Sequence, residues 1–69
     1  MQIKIDFISK EKAEELRKVY EGQLKIEPSG DGENVDVTIQ HASIETVCGE
    51  LYIGGVHFFF ADYGNVIIY

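Results

Sequence analysis

Apolar and polar residues alternate from Gln2 to Ile8, with Ile3, Ile5 and Phe7 on one side and Lys4 and Asp6 on the other, which predicts a half-buried strand. The period then lengthens. Ser9 suits a helix N-cap, Glu11 lies near the positive end of the helix dipole, and Gly22 supplies a stop. Between them Ala13, Leu16, Val19 and Tyr20 form one apolar stripe. The opposite face pairs Lys10 with Glu14, Glu14 with Lys18 and Arg17 with Glu21 at four-residue spacing. Such pairs contribute roughly 0.2–0.5 kcal/mol each. The spacing predicts one amphipathic helix over 10–21.

Leu24 and Ile26 begin a second strand, which the turn formers from Pro28 to Asn34 end. Val35, Val37 and Ile39 then alternate with Asp36, Thr38 and Gln40, so a third strand buries one side. Residues 41–49, with Ile44 and Val47 as their larger apolar side chains, fit a strand, a helical turn or a crossover equally well. Gly54-Gly55 is a two-residue hairpin signal; pairing Ile53 with Val56 sets Leu51 opposite Phe58 and Tyr52 opposite His57. A further turn at Asp62–Asn65 and a closing strand at 66–69 put Ile67 and Tyr69 on the face of Phe58 and Phe60. Glu50, Tyr52, His57, Phe59, Ala61, Val66 and Ile68 fall on the other face.

The pattern predicts an α+β fold, one domain over 1–69. It is a mostly antiparallel sheet of five or six strands in the order β-α-β-β-β-β-β, with a short element before the last three strands and the helix on one face. One helix covers one face of a sheet. Tyr52, Phe59, Val66 and Ile68 are therefore expected to form an exposed apolar patch, the usual mark of an interface.

Composition sharpens this picture. A chain of 69 residues buries only about 60% of its unfolded surface, so a dense core or self-association has to compensate. The single cysteine, Cys48, rules out an internal disulfide. Cys48, His41 and His57 lack the paired short spacings of a structural metal site. An apolar content of 45%, with four Phe and four Tyr, argues for a folded chain despite a net charge of −6. The segment from Met1 to Ile8 has neither the pattern of a signal peptide nor that of a membrane span, which makes the cytoplasm the expected location.

Charge is divided along the chain. Lys4, Lys10, Lys12, Arg17, Lys18 and Lys25 all precede Ile26; beyond it stand Glu27, Asp31, Glu33, Asp36, Glu45, Glu50 and Asp62 with no lysine or arginine. That balance repels nucleic acid and anionic membrane and attracts basic surfaces. Asp31, Glu33 and Asp36, in a turn or on a wet strand face, are expected to tolerate reversal to lysine at little cost in folding.

Catalytic motifs are not apparent. Cys48 has no neighbouring cation to stabilise a thiolate, which makes it a packing residue at a strand end, and His57 is expected to stack or hydrogen-bond on a strand surface. Asp31 to Asp36 lacks the ligand alternation of a calcium loop, and the glycine pairs lack the helix and lysine of a phosphate site. No cofactor, metal or catalytic group is expected. The expected function is that of a non-enzymatic, acidic protein-binding module. Its partner is the basic surface of a nucleic-acid-handling protein, and its size and charge parallel the small inhibitors of phages and mobile elements, anti-CRISPR proteins among them. Its contacts are expected at Asp31, Glu33, Asp36, Glu45, Glu50, Asp62, Tyr52, Phe59, Val66 and Ile68. The alternative is a structural homo-oligomer, a dimer for instance, assembled through the apolar second face.

Overall fold

Ile3 and Ile5 are completely buried because their strand, β1 (Ile3–Ile8), lies between two others. The computed structural model describes residues 1–69, apart from the side chains of Phe60 and Ala61. After β1 come helix α1 (Lys10–Val19) and strands β2 (Leu24–Pro28), β3 (Val35–Ile39), β4 (Ile44–Val47), β5 (Glu50–Ile53) and β6 (Val56–Phe58). A 3-10 helix (Phe60–Asn65) leads into β7 (Val66–Ile68). The fold is α+β, as the pattern predicts. Its strands, however, divide into two antiparallel sheets, one of four strands in the order β2-β3-β1-β7 and one of three in the order β4-β5-β6.

The division corrects the expected second hairpin. β7 pairs with β1, Ile3 opposite Ile68 and Ile5 opposite Val66, and not with β6. The cause lies at 59–65. Asp62 closes a turn on Phe59, with its amide on the Phe59 carbonyl at 2.9 Å and its Oδ2 accepting the Phe59 amide at 3.2 Å. The chain then winds as a 3-10 helix in place of extending the strand. Six residues at about 2.0 Å each span about 12 Å, close to the spacing of about 10 Å between packed layers. The segment is thus long enough to carry the chain from one sheet to the other. Val66 and Ile68 consequently share a face with Ile3, Ile5, Val37 and Ile39, and Ile67 points the other way beside Lys4. The expected positions of the Phe60 and Ala61 side chains lie outside the described residues.

The helix forms as its caps direct. Ser9 Oγ accepts the Lys12 amide at 3.1 Å, and Tyr20 ends the helix by donating its amide to the Leu16 carbonyl at 2.9 Å. Ala13 and Leu16 are buried, whereas Val19 is 50% exposed, so the apolar stripe is narrower than the sequence pattern predicts. Tyr20 turns aside to the second sheet, where its hydroxyl accepts the Ser43 amide at 3.0 Å. Ala13 and Leu16 join Ile53, Val56 and Phe58 of the small sheet and the inner residues of the large one in a single core. At about 25 cal/mol per Å² of apolar surface removed from water, this burial is the main stabilising term.

A β-bulge interrupts β1. Pairing with β3 shifts between Ile5 and Ile8, and Phe7 adopts a left-handed backbone with φ +56°. Ile8 therefore enters the core, and Phe7, expected inside, is largely exposed. The displaced Phe7 amide is taken by Asp36 Oδ1 on the neighbouring strand at 3.1 Å. Asp36→Ala is expected to lower unfolding stability by about 1 kcal/mol, the worth of one such bond. Phe7→Gly in the same background should return part of the loss by relieving the backbone. Urea unfolding of the three proteins checks this; an Asp36→Ala midpoint equal to that of the parent would remove the role assigned to Asp36.

Candidate functional site

The three-stranded sheet turns one side to the core and the other to solvent. Ile44, Ile53 and Val56 lie side by side on the inner face, as do Thr46, Leu51 and Phe58. By alternation the outer face holds Glu45, Tyr52 and His57 in one row across the strands, with Val47 and Glu50 in the next. Phe59, immediately after β6, is 63% exposed beside them.

These side chains hold one another in place. The His57 ring stands between Tyr52, at 5.3 Å between centroids, and Phe59, at 5.0 Å and edge-on. Glu50 Oε2 accepts the Tyr52 hydroxyl at 3.4 Å and lies 3.5 Å from His57 Nε2, forming an ion pair when the imidazole is protonated. Tyr63 donates its hydroxyl to the Gly49 carbonyl at 3.1 Å, tying the 3-10 helix to the β4–β5 turn. From the helix side, Lys12 Nζ donates to the His57 carbonyl at 2.6 Å and sits 5.6 Å from the centre of the Phe59 ring. Between these groups is an open cavity of about 330 Å³ lined by Gly49, Glu50, His57, Phe58, Phe59 and Tyr63.

The Tyr52 phenol is held above its ordinary value of 10.0, first because packing of the ring removes water from it, then because the Glu50 carboxylate repels a phenolate and accepts its proton. Since the folded value is the raised one, this stabilisation is complete below the ordinary value and is lost as pH rises through the raised one. Alkaline titration of phenolate absorbance, taken as the difference between parent and Tyr52→Phe, should show one tyrosine ionising late. Glu50→Gln should move that step part of the way back. A Tyr52 step that is unchanged in Glu50→Gln would contradict the assigned contribution of Glu50.

The ten residues expected at the interface do not lie together. Glu45, Glu50, Tyr52 and Phe59 share the outer side of the small sheet, with Asp62 at its margin. Val66 and Ile68 belong to the inner face of the large sheet, so the expected four-residue apolar patch is not one surface. Asp31 and Glu33 occupy the β2–β3 turn, and Asp36 lies on β3.

The acids also divide by type. The three aspartates hold backbone: Asp36 takes the Phe7 amide, Asp62 that of Phe59, and Asp31 Oδ1 accepts the amides of Glu33 and Asn34, each at 2.9 Å. The bonds from Asn34 and then Glu33 draw the Asp31 carboxyl below its ordinary 3.8, so the contribution of this turn is present above that value and fades as pH falls through the lowered one. Glu33, Glu45 and Glu50 are exposed. Lysine at position 31 or 36 would remove these bonds, which bears on the expectation that reversal of Asp31, Glu33 and Asp36 has little cost in folding.

Cys48 differs from expectation as well. It is exposed, at φ +52°, and with Gly49 at φ +79° forms the tight turn joining β4 to β5. The structure also brings in three residues not singled out as contacts, namely Lys12, His57 and Tyr63. Only His57 carried a signal in the sequence, through its register opposite Tyr52.

Among the described residues, no three His, Cys, Asp or Glu side chains are placed to hold a metal ion, and no helix is long and apolar enough to cross a membrane. No protein-family model matches the chain, and no match is found among curated proteins or solved structures.

Proposed function

We propose that this chain is a non-enzymatic protein-binding module whose acidic, aromatic outer face on the small sheet occupies a basic surface of a nucleic-acid-handling protein. A small inhibitor carried by a phage or other mobile element, such as an anti-CRISPR protein, acts in this way. One observation carries the reading. Glu45 and Glu50 stand among Val47, Tyr52, His57 and Phe59, and the strands forming this face contain neither lysine nor arginine. Four of the six cations are already paired with the chain's own acids: Lys4 with Asp6, Arg17 with Glu14, Lys25 with Glu27, and Lys12, which reaches the His57 carbonyl from behind this face, with Glu15. The negative potential over the face is thus left for a partner.

The test starts from a partner isolated by cross-linking in the cells that carry the chain. Its association rate is measured at 0.01 M and 0.15 M salt, where the screening length falls from about 30 to about 8 Å. Steering by the face predicts at least a tenfold slower association at the higher salt, and a similar loss for Glu45→Lys with Glu50→Lys. Nucleic acid should compete for the same partner. Association indifferent to salt and to both reversals would sink the reading.

Self-assembly is the second reading, and one observation favours it. β7 is an edge strand, and Ile67, Ile68 and Tyr69 along it are 43%, 61% and 68% exposed, without the lysine or proline that commonly protects an edge. A concentration-dependent mass by sedimentation that Ile68→Lys abolishes would support it.

A further inference from the structure

Phe59 separates two recesses of the surface. One is lined by Phe7, Ile8, Ser9, Lys12 and Asp62, and in it the chain's own ammonium group, Lys12 Nζ, lies 5.6 Å from the Phe59 ring centre. The other is the cavity of about 330 Å³ bounded by Gly49, Glu50, His57, Phe58 and Tyr63, and no lysine or arginine lines it. The first recess shows Phe59 already serving as a platform for a cation, at a distance typical of such contacts, within about 6 Å. The second offers the same ring with more aromatic wall, and with Glu50 where the first has Asp62.

We infer that this second cavity receives the guanidinium of an arginine projecting from the basic partner. The inference rests on the proposed acidic-binder function and specifies where the partner's charge is read. Size agrees, because small-molecule sites begin at about 300 Å³, which suits a single long side chain better than a large ligand. The lining agrees as well. A guanidinium is flat, weakly hydrated and forked, so it stacks on an aromatic face while two of its N–H groups meet a carboxylate. Phe59, His57 and Tyr63 provide the rings and Glu50 the carboxylate. The Gly49 carbonyl, which accepts one bond from the Tyr63 hydroxyl, keeps a second lone pair at the same margin. An ammonium would find the charge but would lose more hydration and form no fork. Phe58, 1% exposed, gives the cavity a floor that belongs to the core, so the site is held by the fold itself.

A defined probe tests the pocket without the partner. Isotope-labelled protein is titrated with the capped tripeptide Gly-Arg-Gly, and in parallel with its lysine and citrulline counterparts, while amide shifts are followed by NMR. Saturable shifts centred on Gly49, Glu50, His57 and Tyr63 are expected for the arginine peptide, with at least threefold weaker binding for lysine and no saturation for the neutral citrulline. Glu50→Gln should weaken the arginine peptide at least fivefold and Phe59→Leu about threefold. Glu33→Gln, which removes an equal charge from the β2–β3 turn, should leave it unchanged. Equal affinity for arginine and lysine, shifts spread over the acidic turn, or equal effects of Glu33→Gln and Glu50→Gln would overturn the pocket and leave only a diffuse field. The outcome is separable from that of the acidic-binder reading. If partner association is salt-sensitive and the arginine peptide fails, the pocket alone falls; if the peptide binds and the partner ignores salt, the broader reading falls.

Discussion

Phe58→Ala is expected to lower unfolding stability by about 3–5 kcal/mol, the usual cost of emptying a buried aromatic site. Among the described residues Phe58 is the largest fully buried side chain, and it joins the small sheet to the helix and the large sheet in one core. At about 0.05–0.15 kcal/mol per residue, a chain of this length holds only about 3–10 kcal/mol in all, so the variant should be at or near the unfolded side at ordinary temperature. Phe58→Leu, which keeps most of the volume, should lose far less and remain folded. Since 1 kcal/mol moves the midpoint of a domain this small by about 4–8 °C, thermal unfolding resolves the two easily. A Phe58→Ala protein melting within a few degrees of the parent would mean that the small sheet is not part of the core described above.

The second large effect concerns Gly54. Its backbone is left-handed, at φ +60°, and a Cβ placed there would lie 2.5 Å from Cε2 and 2.7 Å from the hydroxyl oxygen of Tyr20. Gly54→Ala thus faces two separate costs. The left-handed conformation costs about 1–2 kcal/mol for any residue with a Cβ. Moving the ring sacrifices the bond from the Ser43 amide, worth about 0.5–1.5 kcal/mol, together with packing against the hairpin. The sum is about 1.5–3.5 kcal/mol. In a Tyr20→Leu background the ring is gone, and Gly54→Ala should cost only the backbone part, so the two changes should couple by about 1 kcal/mol in a double-mutant cycle. Additive costs would show that the ring yields freely and that Tyr20 does not clamp the hairpin.

Much of this architecture could be read from alternation because most elements are local. The Gly54-Gly55 turn, with both residues at positive φ, sets Ile53 against Val56 and so fixes the register that stacks His57 on Tyr52. Ser9 and the β3 alternation are equally plain, since each depends on near neighbours in sequence. Three features were out of reach for physical reasons. β4 has only Ile44 and Val47 as apolar side chains over four residues, and its turn uses Cys48 at a left-handed position where asparagine or glycine would have signalled a hairpin. The bulge at Phe7 reverses which side chain is buried, and its support, Asp36, is 29 residues away. The partner of β7 cannot be deduced from a period of two, because alternation assigns sides within a strand and does not name the neighbour. The candidate face was half legible for the same reason. Tyr52, Glu50 and Phe59 were placed by the first hairpin, whereas Val66 and Ile68 were assigned through a second hairpin that the 3-10 helix replaces. The division of the acids into aspartates that hold backbone and glutamates left exposed was predictable only at Asp31, where the aspartate two and three residues ahead of the amides it accepts is a local turn signal.

The pairing of β1 with β7 sets an order on assembly. β1 gains its neighbour β3 once Val35–Ile39 exist, but its other edge stays open until Val66–Ile68 have been made. Throughout synthesis of the intervening segment, a nascent chain therefore presents an unsatisfied row of backbone donors and acceptors along Ile3, Lys4 and Ile5, the form of edge that recruits other strands. The small sheet has no such delay, because β4, β5 and β6 are joined by two tight turns and pair only with one another. The face that carries Glu45, Tyr52 and His57 can thus be complete while the large sheet still lacks its last strand.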